Sequence, residues 1–103
     1  MEYAQEIKEV EHQIAIAEEA HPKVCDDYFH ASEAATLKDH EVLYKLINTP
    51  PTTYHGINIL MEEVYEAFSA IADGDMRNAY TEFAQVATVA IRIMQKIREE
   101  EMK

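Results

Sequence analysis

The chain has 103 residues, 48% of them hydrophobic, and a formal net charge of -11. That length suits a single domain spanning 1–103, large enough for a core and small enough to gain from self-association. The charge argues against a nucleic-acid backbone or an anionic membrane as partner, and suits clustered carboxylates offset by bound cations.

Two glycines and three prolines among many Ala, Ile, Glu and Lys residues predict an all-α chain. No long stretch alternates polar and apolar residues as a half-buried strand does. The single cysteine, Cys25, excludes an internal disulfide and fits a reducing compartment. The opening MEYAQEIKEV lacks the basic-then-apolar layout of a signal peptide, so a cytoplasmic location is expected. The least polar run, Phe83 to Met94, is too short to span a membrane and contains Gln85 and Arg92.

In chain order, the first predicted helix runs from about Glu2 to Ala20. Tyr3, Ile7, Val10, Ile14 and Ala17 recur at steps of four and three, making a narrow apolar stripe. His21-Pro22 ends it. Val24, Cys25, Tyr28 and Phe29 form a short apolar group suited to one or two helical turns, which Ala31 to Leu37 would extend. A clearer helix is predicted from Asp39, read as its N-cap, through Val42, Leu43, Leu46 and Ile47. Asn48 to Thr53 then reads as a stiff connector, because adjacent prolines hold an extended path.

The next two helices are predicted as an antiparallel hairpin, about 55–73 and 76–98, around Asp73-Gly74-Asp75. Ile57, Leu60, Val64, Phe68 and Ile71 share one face of the first, and Glu62, Glu63 and Glu66 project from roughly the opposite side. A plain solvated face is the bland explanation for these acids. Against it stand the apolar border that Ile59 and Ala70 give them and the next helix, which offers another glutamate instead of lysine partners. That second helix starts after Asp75 as N-cap and is apolar or small on all sides from Ala79 to Met94, which predicts burial in a core or a subunit interface, with Glu82 and Gln85 buried too.

Counted from Gly74, Glu66 and Glu82 each lie eight residues away, and Glu63 and Gln85 each lie eleven away. In an antiparallel hairpin, equal distance from the turn means equal height, so these groups should face one another. An ionised carboxylate in an apolar setting needs a counter-charge. Oxygen ligands without Cys or obligatory His fit a hard cation, Mg²⁺ or Mn²⁺. Arg92 and Lys96, further along the Gln85 face, are candidate phosphate contacts. His55 is a candidate substrate contact or helix cap.

Glu62-Glu63-Val-Tyr-Glu66, a turn, then Glu82-Phe-Ala-Gln85 resembles the metal motif of MazG-like nucleoside triphosphate pyrophosphohydrolases. That all-α family shows Glu-x-x-Glu followed after a variable gap by Glu-x-x-Asp. The likeness covers about residues 55–97 and includes the Ile-Leu-x-Glu-Glu-Val opening and the Ala/Val-rich second helix. The resemblance implies Mg²⁺ bound by Glu63, Glu66 and Glu82, with Glu62 as a further ligand or as the base that orients water. It implies hydrolysis of a nucleoside or deoxynucleoside triphosphate to the monophosphate and pyrophosphate by a homodimer or homotetramer. Gln85 departs from the family's commonest residue, Asp; its amide oxygen can coordinate a hard cation but brings no charge.

Two alternatives follow from the same residues. A relative that kept the bundle without the chemistry would bind a nucleotide or a protein. A di-iron carboxylate bundle is suggested by Glu9-x-x-His12 and Asp27-x-x-His30, although Glu9 and His12 fall off the apolar stripe of their helix.

Overall fold

The computed structural model describes residues 2–28, 33–49 and 55–102, and these form four helices with no strand among them. They are α1 (Ala4–Ala20), α2 (Ala34–Ile47), α3 (Gly56–Ala72) and α4 (Met76–Glu101). The fold is thus all-α and helical-bundle in class. No helix among the described residues is long and apolar enough to cross a membrane. The chain divides into two compact units, Met1–Tyr28 with Ile91–Lys103, and Phe29–Ala90.

In the first unit, Tyr3, Ile7 and Val10 of the expected stripe are half-buried, whereas Ile14 and Ala17 are exposed. A charge is sequestered instead. Glu6 is 3% exposed and accepts two hydrogen bonds from the Arg98 guanidinium, Nε to Oε2 at 2.9 Å and a terminal nitrogen to Oε1 at 3.1 Å. Gln95, also buried, donates to Glu2 at 2.7 Å. A planar guanidinium meeting both oxygens of a carboxylate is the geometry that best repays desolvation. Helix α4 continues past the expected end near residue 98 to Glu101 and is anchored at Arg98.

After Ala20 the helix stops, as His21-Pro22 requires. Residues 21–28 form bends without helix, and Val24, Cys25 and Tyr28 are exposed, so the expected helical turns are absent there. Phe29, Ala31 and Ser32 lie outside the described residues. In the second unit α2 begins at Ala34, which places Asp39 inside the helix and corrects its reading as the N-cap. Propensity explains the shift: Ala34, Ala35 and Leu37 are helix formers upstream of Asp39. The prolines of the connector, Pro50 and Pro51, fall outside the described residues.

The α3–α4 turn follows the expected chemistry closely. Gly74 adopts φ 76°, the left-handed conformation that L side chains resist. Its N–H donates to Ile71 O at 2.9 Å and that of Asp75 donates to Ala70 O at 3.0 Å, the paired bonds of a Schellman cap. Asp75 then caps α4, accepting from Asn78 N at 3.2 Å. Among the described residues the buried apolar positions are alanines, Ala67 and Ala70 on α3 and Ala79 on α4. Small side chains there let the two helix backbones come close. Phe68 and Phe83 meet with ring centroids 6.4 Å apart.

The full circumference of α4 is not covered. Tyr80 is 81% exposed and Phe83 42%, and Ala84, Gln85 and Ala87 are exposed as well. The apolar-circumference rule presumes that something packs on every side, and among the described residues the Tyr80–Ala87 stretch lacks that cover. Gln85 is accordingly exposed and Glu82 only half-buried, a correction to both. On α3, Leu60, Val64, Phe68 and Ile71 are half-buried as expected of a core face, while Ile57 is 65% exposed.

The turn supplies a stability test. A Cβ added at Gly74 meets nothing within 4 Å, so Gly74→Ala pays only the backbone cost. Urea unfolding is expected to show a loss of about 1–2 kcal/mol for that variant, and about 1 kcal/mol for Asp75→Ala, which removes the cap.

Candidate metal centre

Glu62, Glu63 and Glu66 sit in the middle of α3, and helical spacing puts their carboxylates side by side. One oxygen from each lies within 4.8 Å of the others, and all three residues are half-buried. The two cross-helix pairs expected from the symmetry about Gly74 are both present. Glu66 is hydrogen-bonded to Glu82. Gln85, with its amide oriented to suit its neighbours, donates to Glu63 Oε2 at 2.9 Å and to Glu82 Oε2 at 3.1 Å. The five residues expected as ligands are therefore one connected group.

Close packing of like charges has a titration signature. Glu66 is pushed up to about 8 by burial, by its hydrogen bond with Glu82, by the charge of Glu63 and by its contact with Glu62. Glu63 is also raised, by burial first and then by the charges of Glu82 and Glu62. Near neutrality the group thus retains a proton shared within the cluster, because full ionisation would set carboxylates against one another in a partly dry site.

Helix α2 forms a further wall, and here the sequence reading missed three residues. Asn48, 8% exposed at the end of α2, donates to Glu62 Oε1 at 2.9 Å and to Asn58 O at 3.0 Å. Lys45 pairs with Glu41 at 3.3 Å. Its ammonium pKa is raised: burial, which alone would lower it, is outweighed by the hydrogen bond and charge of Glu41 and by the charges of Glu66 and Glu62. A cavity of about 250 Å³ opens here, lined by Glu41, Lys45, Glu66, Ser69, Asn78 and Glu82 among others. Asp39-His40-Glu41 reads as solvated or capping material, yet Glu41 lines this cavity and His40 stacks on Tyr65, with ring centroids 4.8 Å apart. Tyr44 stacks on the same ring at 5.5 Å, and Phe68 meets it edge-on at 5.8 Å.

The other candidates are exposed wherever they are described. His55 is the N-cap of α3 in extended conformation, but it is exposed and its side chain makes no cap hydrogen bond. Arg92 and Lys96 lie on the α4 segment that belongs to the first unit; both are exposed, and Lys96 is paired with Glu100 at 2.5 Å. Glu9 and His12 are exposed on α1, and Asp27 is exposed outside any helix, while His30 lies outside the described residues.

The donor set fits a hard divalent cation. Carboxylate oxygens from successive turns of one helix, with Glu82 beside them, supply the ligand type that Mg²⁺ and Mn²⁺ prefer. Comparison with family models, with characterised proteins and with solved structures gave no match to this chain.

Because the Glu66 carboxyl is raised on folding, the folded chain holds more protons than the unfolded one. The stability this contributes is complete below the ordinary value of 4.5 and is lost as pH climbs through about 8. In chelator, the thermal midpoint should therefore fall as pH rises across that window. Excess Mg²⁺ or the variant Glu66→Gln should flatten the fall. Lys45 provides an independent check: as a cation beside the cluster it competes with a metal, so Lys45→Met is expected to tighten Mn²⁺ binding severalfold by calorimetry.

Proposed function

We propose that this chain binds a divalent cation at Glu62, Glu63, Glu66 and Glu82 and hydrolyses a nucleoside or deoxynucleoside triphosphate to the monophosphate and pyrophosphate. The observation that carries the reading is the connected carboxylate group bridging α3 and α4, whose pairs fall at the positions of the MazG-like motif. Mg²⁺ or Mn²⁺ held there would neutralise phosphate charge during displacement. Glu62 or Glu63 orients a water toward one phosphorus of the linkage between the α- and β-phosphates and accepts its proton as the new P–O bond forms. The bond from that phosphorus to the bridging oxygen breaks, the other phosphate group leaves with that oxygen, and the proton passes on to solvent. A second copy of the chain would cover the exposed Met76, Tyr80 and Phe83, which recur at helical spacing on α4.

A second reading is favoured by Gln85. Its Nε2 donates to Glu63 and Glu82, whereas a ligand role needs the amide turned so that its oxygen faces the cation. A chain that binds a nucleotide or a protein without turning it over would be content with the donating orientation.

Pyrophosphate release from the common NTPs and dNTPs, with Mg²⁺ or Mn²⁺, separates the two. Turnover in the wild type that falls at least a hundredfold in Glu63→Gln and Glu66→Gln supports the hydrolase. Gln85→Asp, which restores a charged oxygen, should lower the Mg²⁺ concentration needed for half-maximal rate. Absence of turnover with every nucleotide, or equal turnover in the variants, would contradict it.

A further inference from the structure

We infer that Asn48 is a positioning residue for the cation site, acting through Glu62; this rests on the metal reading given above. Asn48 is at the C-terminal end of α2, on a different helix from the acids, and is buried to 8% exposure. Both N–H bonds of its amide nitrogen are used, one on Glu62 Oε1 at 2.9 Å and one on the carbonyl of Asn58 at 3.0 Å. In the α3 helix that carbonyl is also the acceptor for the backbone N–H of Glu62, four residues on. The amide therefore grips the turn that carries Glu62 and the carboxylate at the end of its side chain.

The chemistry of the position calls for this residue type. Glu62 stands beside Glu63 and Glu66, and repulsion favours rotamers that carry a carboxylate out to water. A donor that holds it in place must not add positive charge, since a cation there would oppose the metal as Lys45 does. A primary amide satisfies two acceptors and stays neutral; Asp has no donor, Ser has one and Ala has none. Partners of this kind orient metal ligands, and their loss typically costs 10–100-fold in metal affinity or activity. Helix α2, whose chemical role is silent in the sequence, is on this view part of the site.

The test is a double-mutant cycle on the full chain, with Mn²⁺ affinity read by calorimetry and thermal unfolding followed in parallel. Asn48→Ala is expected to weaken Mn²⁺ about tenfold. In the Glu62→Ala background the same change should have no further effect on Mn²⁺. The thermal midpoint should still drop in both backgrounds, because the bond to Asn58 is lost in each. Should Asn48→Ala fail to fold, Asn48→Ser keeps a polar group at the end of α2 yet is too short to hold both acceptors, and carries the same expectation. Unchanged Mn²⁺ affinity in the Asn48 variant, or losses that multiply in the double variant, would overturn the inference while leaving the metal site standing. A wild type that binds no Mn²⁺ would overturn the metal reading and this inference with it.

Discussion

Carboxylates held a few ångströms apart repel unless something positive joins them, and much of the second unit follows from that repulsion. At ~5 Å and an effective dielectric near ~20, two full charges cost roughly 3 kcal/mol, a sizeable fraction of the stability of a domain this small. Glu62, Glu63 and Glu66 nonetheless stay together, with Glu82 hydrogen-bonded to Glu66. Three devices relieve the cluster without metal. A proton is retained at Glu66, neutral amides from Asn48 and Gln85 donate to Glu62, Glu63 and Glu82, and the Lys45 ammonium stands at the edge of the cavity. The proposed cation site would make use of such an arrangement.

The turn at Gly74 sets the register on which this depends. A left-handed glycine closes α3, the following aspartate opens α4, and the alanines at 67, 70 and 79 allow close approach. With the turn fixed, Glu66 meets Glu82 and Glu63 meets Gln85. One residue added to or removed from the turn would rotate α4 by about 100° and break both pairs. The hairpin is thus the scaffold of the site as well as a packing element.

Much of this hairpin was legible in the sequence. Gly and Asp in the turn, the acids at equal distances from it and the apolar face of α3 each have a local physical cause. What escaped was nonlocal. Asn48 looks like an ordinary residue at a helix end, and Lys45 like one charge on a helix. Their relation to Glu62 and Glu66 exists only once α2 lies on α3, across a connector whose path the spacing does not determine. The start of α2 was misplaced because a good capping residue, Asp39, sits within a segment whose upstream neighbours already favour helix. The exposure of α4 at Tyr80, Phe83 and Gln85 has a different reason: an apolar circumference states what the helix can pack against, and not what the described residues place there. The pairing of Glu6 with Arg98 had no signal, as the two lie ninety-two residues apart.

The central claim is that a divalent cation takes the place of the shared proton in the carboxylate cluster. Proton release on cation binding measures this directly, by calorimetry at pH 7 in buffers of different ionisation enthalpy. With Glu66 held at about 8 in the metal-free chain, close to one proton per bound Mg²⁺ or Mn²⁺ is expected at that pH, falling toward none well above it. Absence of binding, or binding at pH 7 with no proton released, would contradict it.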